Sequence, residues 1–207
     1  AQKWREEAPA GFEYALLAWA LITHPATHIA FDKLSREIPE RRKAFCGHFK
    51  DTPEVAQAWE ATRSVAGALR ARFVVFATPL TFYPDANHLK DMYRFFKAID
   101  RGGMKMVWQP DGEWTPRMVG KICADLGLIH ALDPLREPPS GGGSFYFRLP
   151  GLRQGRGVLR AHRYSDAELK EVLSAAQGKP GYVFFSNLSS WQDAKRLVLL
   201  NRTGGAR

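Results

Sequence analysis

Long apolar runs are missing from this chain. No stretch reaches the roughly 18 residues that a membrane span needs, and the first residues lack the basic-then-apolar pattern of a secretory leader. The expectation is a cytoplasmic protein with no membrane partner. Cysteine is scarce as well: Cys46 and Cys123 are the two in the chain, too few for a disulfide framework and without the paired spacing of a zinc site. Cys123 shares a helical stripe with Val119, Ile122 and Leu126 in MVGKICADLG, which marks it as core filler. Acidic side chains are outnumbered, 21 against 30 basic ones, for a formal charge of +9. That balance favours an anionic partner such as nucleic acid, a phosphorylated ligand or an acidic protein, without choosing among them. The shortage is most acute in residues 140–165, SGGGSFYFRLPGLRQGRGVLRAHRYS, which hold five arginines and no carboxylate.

What is present is an alternation. Strand-like apolar segments occur at 12–21 (FEYALLAWAL), 72–78 (RFVVFAT), 104–109 (MKMVWQ), 128–132 (LIHAL), 144–149 (SFYFRL) and 182–187 (YVFFSN). Helical patterns lie between them at 53–70, 85–99, 115–127, 165–176 and 190–200. Thr52 with Pro53 opens the first, and Ser165 with Glu168 forms a capping box on the fourth. Near-continuous apolar strands each followed by a helix predict an α/β fold with a parallel sheet covered by helices. The 207 residues, 45% of them hydrophobic, suffice for a single domain over 1–207. In that frame 12–21 is an interior strand, and His24 in ITHPATH lies just past its end.

Ligand sites in such folds gather at the carboxyl ends of the strands. Polar groups finish several segments: His24, Gln109, Asp133, Arg148, and Ser186 with Asn187. They are expected to converge on one pocket.

The ordered segments resemble the domain-of-unknown-function 72 family, also called YecE-like. FEYALLAWALITH is similar to that family's Phe-x-Phe strand running into Ile-Thr-His. VVFATPLTF resembles a strand ending in a Pro-containing turn and Phe, SFYFRLPG a Tyr-x-Arg-Leu-His-Gly strand, YSDAEL a Tyr-Ser-x-x-Glu-Leu helix start, and VFFSN a Phe-Asn-Asn strand end. The resemblance spans about residues 4 to 200 and implies a TIM-type β/α barrel. It also implies departures. Leu17, Trp19, Ala77, Trp108 and Pro150 stand where the family carries polar side chains, while Thr23, His24, Asp133, Arg148 and Asn187 survive. Nothing here matches the family's first two strands, so the barrel is expected to be incomplete, with about six parallel strands. Either a missing N-terminal segment or a partner chain would then cover the edge of the 12–21 strand.

The basic segment carries the functional expectation. Gly151, Gly155 and Gly157 predict a flexible loop that lets backbone approach a ligand. Arg148, Arg153, Arg156, Arg160 and Arg163 offer forks for phosphate, and Tyr146 and Tyr164 offer stacking surfaces. With Thr23 and Asn187 these form the expected ligand-binding set of a protein that binds nucleic acid or another polyanion, within an assembly. The alternative is a hydrolase or lyase-type enzyme, with His24 and Asp133 as acid and base around a phosphate-bearing or sugar-like substrate. His24 and His28 have ligand-like spacing, but Pro25 intervenes and no third ligand is evident, so neither metal nor cofactor is expected. The basic stretch 35–50 reads as a solvated helix face. SGGGS precedes a strand instead of a helix, which makes it a linker and not a phosphate loop.

Overall fold

The computed structural model of the chain describes residues 1–29, 31, 38–139, 143–155 and 157–204. The chain forms two compact units, Ala1–Leu128 and Ile129–Arg207.

In the first unit the chain order is α1 (Gln2–Glu7), β1 (Ala15–Leu17), α2 (Ala20–Thr23), α3 (Glu40–Lys43), α4 (Pro53–Leu69), β2 (Phe73–Ala77), α5 (Ala86–Ala98), β3 (Lys105–Gln109) and α6 (Pro116–Leu126). β1, β2 and β3 are parallel neighbours, with Leu16 opposite Val74 and Val75 opposite Val107. β2 is FVVFA, four buried residues and one half-buried, the unbroken apolar pattern of a strand covered on both faces. Side-chain caps start the long helices: Thr52 accepts from Val55 N–H, Asp85 from Asn87 and His88 N–H, and Thr115 from Met118 N–H. The apolar faces of α4 and α5 meet the sheet in an aromatic cluster of Trp59, Phe76, Phe95 and Phe96.

The 12–21 segment departs from expectation. It is extended only over Ala15–Leu17. Ala18 N–H then closes onto Val75 O at 2.8 Å, and the remaining apolar residues turn into α2, which buries Leu21, Ile22 and Thr23. A short apolar run does not distinguish a buried strand from a buried helical turn, and here both occur in succession. Nor is β1 interior. Its one strand neighbour among the described residues is β2, and Leu17 is 59% exposed.

One turn fixes the end of α2. Gly47, His48 and Phe49 are consecutive left-handed residues, with φ of 80°, 53° and 57°. Their N–H groups donate to Leu21 O (2.8 Å), Thr23 O (3.3 Å) and Ile22 O (2.8 Å), satisfying carbonyls that a helix end leaves without intrahelical partners. A Cβ on Gly47 would stand 2.1 Å from His24 O, so only glycine fits there.

In the second unit the order is β4 (Ile129–Leu132), β5 (Phe145–Leu149), β6 (Leu152–Gln154), β7 (Gly157–Leu159), α7 (Asp166–Ala176), β8 (Gly181–Phe185) and α8 (Ser190–Gly204). β4, β5 and β8 run parallel. Leu132, Phe147, Leu149, Tyr164, Leu169, Val172 and Leu197 make the core. The flexible loop expected after β5 is instead an ordered antiparallel hairpin, β6 with β7, in which Leu152 faces Leu159. Gly151, at φ 119°, lets the chain turn back so tightly that a Cβ would meet Leu159 O at 2.5 Å. The glycines there serve the turn geometry. Ser165 and Glu168 form the expected capping box on α7.

Candidate functional site

A cleft of about 420 Å³ opens at the carboxyl ends of β2 and β3 in the first unit. Its lining comes from the segment after α2 (His24, Pro25, Thr27, His28), the end of β2 and the turn after it (Ala77 to Thr81), and Gln109 and Asp111. None of these lining residues is a lysine or an arginine. Thr78 is engaged below the surface, accepting a hydrogen bond from Trp108 Nε1 at 3.2 Å.

His24 lines this cleft but arrives there as the C-cap of α2, not from the end of a strand. Its Nδ1 lies 2.7 Å from Thr23 Oγ1, and its ring centroid lies 4.3 Å from that of His28. Burial, and then the neighbouring His28, pull the His24 imidazole down to about 4.

Sequence reasoning missed a second imidazole group beside it. The left-handed turn delivers His48, whose Nε2 is 3.1 Å from Thr81 Oγ1 at the cleft. Burial first, then the charges of His88, Lys50 and His24, lower its pKa to about 4. The rings of His48 and His88 touch edge-on at 4.7 Å. His88 is held in turn by the α5 cap: its Nδ1 is 2.6 Å from Asp85 Oδ2 and 3.0 Å from Tyr83 O. Four of the chain's six histidines thus belong to one neighbourhood. The signal available in sequence was their concentration in the first 88 residues. Among the described residues no group of three His, Cys, Asp or Glu is arranged to hold a metal ion.

The other expected residues belong to the second unit. Asp133 follows β4 and Asn187 follows β8, so both stand at the carboxyl end of that unit's parallel strands. Burial raises the Asp133 carboxyl above its ordinary range, against the hydrogen bond from Leu135 N–H and the charges of Arg136 and Arg153. Asn187 is buried, and its amide donates to His162 O at 2.9 Å and to Asp193 Oδ2 at 2.7 Å. Tyr146 is buried and stacks on Phe184 at 4.5 Å, while Tyr164 accepts a hydrogen bond from Gly151 N–H at 2.8 Å. Arg148 is half-buried on β5. Arg153 is exposed on β6, and Arg160 and Arg163 are exposed after β7. The Arg160 guanidinium donates to Ser186 O at 2.8 and 3.2 Å. Arg156 lies outside the described residues.

No family model and no curated protein matches the chain. Solved structures do. A DUF72 family protein from Thermotoga maritima superposes with a TM-score of 0.62 at 14% identity, over 96% of this chain and 75% of that one. Another from Enterococcus faecalis gives 0.62 at 12% identity, over 97% and 77%. The fold is that of the DUF72 proteins. A xylose isomerase domain containing protein from Salmonella typhimurium also aligns, with a TM-score of 0.50 and 17% identity over 76% of this chain and 71% of that one. The fold class is therefore α/β, an incomplete TIM-type β/α barrel of six parallel strands. No described helix is long and apolar enough to cross a membrane.

The buried imidazoles make stability depend on pH. His24, His48 and His130 all fall from 6.5 to about 4 in the folded chain. Between those limits the unfolded chain binds more protons, so this contribution is complete above pH 6.5 and is lost as pH falls toward 4. Urea midpoints are expected to drop steadily between about pH 7 and pH 4.5. Replacing His24 and His48 together with Gln should flatten that decline to the part left by His130; an unchanged slope would contradict the assignment.

Proposed function

We propose that the first unit binds a small, uncharged, polyhydroxylated molecule, a sugar or sugar-like alcohol, in the cleft at the carboxyl ends of β2 and β3. The observation that carries this reading is the lining itself, which among the described residues combines imidazoles, threonine hydroxyls, a glutamine amide and the Asp111 carboxylate without a lysine or arginine. Ligand hydroxyls both donate and accept, which suits that mixture. A phosphate would meet Asp111 with no arginine or lysine among the described lining residues to balance it. His24 is neutral at pH 7 because of its burial, so its ring can accept a hydrogen bond from a bound hydroxyl. The enzymatic form of the reading, a hydrolase or lyase with His24 and Asp133 as acid and base, would need a stronger base than His24, which its burial makes a weak one at pH 7.

Calorimetric titration with neutral monosaccharides and with their phosphate esters separates the possibilities. The neutral sugars should bind more tightly, and Asp111→Asn or His24→Ala should each weaken them by about tenfold, one good hydrogen bond to a polar partner. Tighter binding of the phosphate esters, or no effect of either substitution, would overturn the reading.

A second reading has its own support. Arg153 and Arg163 are exposed on the hairpin and the turn after it, in a stretch without carboxylates, and this favours contact with nucleic acid or another polyanion. Each phosphate neutralised releases condensed counterions, so replacing both arginines with Ala should flatten the salt dependence of nucleic-acid affinity by roughly two units. An unaltered slope, or no binding at low salt, would end it.

A further inference from the structure

The tyrosines that the sequence offers as stacking surfaces, Tyr146 and Tyr164, are buried in the second unit. Another aromatic side chain stands beside the basic hairpin in the open. Trp191, in the first turn of α8, is 68% exposed, and Leu188, one turn before it, is 73% exposed. The base of the hairpin is fastened to this same segment: Leu188 N–H donates to Arg160 O at 2.7 Å, and the Arg160 guanidinium donates to Ser186 O. Leu152 and Leu159, opposite one another on the hairpin, are exposed as well. The hairpin and the start of α8 thus make one continuous surface with apolar area open to water.

The charges that this surface offers a ligand are positive. Lys195, one turn further along α8, holds its ammonium 4.7 Å from the Trp191 ring centroid, and Arg160 and Arg163 are exposed on the chain leaving the hairpin. The carboxylates of the adjoining helices are engaged elsewhere. Asp166 pairs with Arg196, Glu168 pairs with His162, and Asp193 is buried. Asp133 and Glu137 act on Arg153, so the cations that count toward a ligand are Arg160, Arg163 and Lys195. An exposed aromatic ring among cations suits a single nucleic-acid strand, whose bases stack on the ring while its phosphates meet the charges. A duplex keeps its base faces stacked on one another.

We propose that Trp191 is the stacking platform of a surface on the second unit that binds single-stranded nucleic acid, with Lys195, Arg160 and Arg163 meeting the phosphates. Lys195 takes one face of the ring and leaves the other for a base. The proposal rests on the polyanion reading of the hairpin, and adds to it the strandedness of the ligand and the residue that selects it.

Fluorescence anisotropy of labelled oligothymidylate, and of a duplex of equal length, titrated with the intact chain at low salt, is the test. Trp191→Ala removes a ring but no charge. It should weaken oligothymidylate binding about tenfold, leave the salt slope in place and leave duplex affinity unchanged, and Trp191→Phe should restore most of the loss. A slope flattened by replacing Arg153 and Arg163, with oligothymidylate affinity indifferent to Trp191→Ala, would keep the polyanion reading and overturn the stacking role. Equal losses on single strand and duplex would overturn it too. So would capture of the chain by phosphatidylserine vesicles with no oligothymidylate bound, which would make the surface a lipid contact. No binding to either nucleic acid at low salt would end both the proposal and the reading beneath it.

Discussion

Three consecutive left-handed residues hold the first unit's site together. Gly47 takes that conformation freely, but His48 and Phe49 each give up about 1–2 kcal/mol to adopt it. Two things offset the cost. The Phe49 ring enters the core, 5.3 Å from the rings of Phe82, Phe95 and Phe96, a burial that contributes about 2–3 kcal/mol. The three N–H groups also cap the carbonyls at the end of α2, without which a four-residue helix would have little to hold it. The consequence is chemical. The same turn that closes the helix ending at His24 brings His48 against Thr81, and His48 meets His88 on its cap at Asp85.

The second unit is organised by a buried carboxylate instead. Asp193 on α8 has no exposed surface and accepts hydrogen bonds from Tyr164 N–H, the Asn187 amide and the Arg196 guanidinium. That network ties the end of β8 and the start of α8 to the chain entering α7. Tyr164, fixed by it, accepts from Gly151 N–H and so anchors the base of the hairpin. Asn187 stands at a strand end, as a ligand-binding residue would, yet both of its donated bonds are internal.

Much of the fold was legible in the sequence for reasons that are physical. β1 and β2 are unbroken runs of aliphatic and aromatic residues, the other four parallel strands interrupt theirs at no more than two positions, and two of the helices between them are announced by Thr52 and Ser165 at their caps. The strand-end motifs carried a resemblance that the solved DUF72 structures bear out as a shared fold, at only 12–14% identity. Apolarity misled at 12–21, where a three-residue strand and a buried helical turn share one pattern. The hairpin was invisible because its strands are exposed on every residue described, so no alternation of burial was imprinted on them. The site was half legible. His24 stood out where the apolar segment stops, whereas the position of His48 depends on a backbone conformation for which only Gly47 gives a hint.

The account rests on two imidazoles that the fold keeps neutral beside the cleft. Long-range nitrogen–proton correlation spectra of the histidine rings, followed from neutral to acid pH, read that state directly. His24 and His48 should remain neutral through pH 6.5 and titrate only near 4. Both rings titrating together near their ordinary value of 6.5 would mean that they are solvated, and would contradict the buried, turn-held site described for this unit.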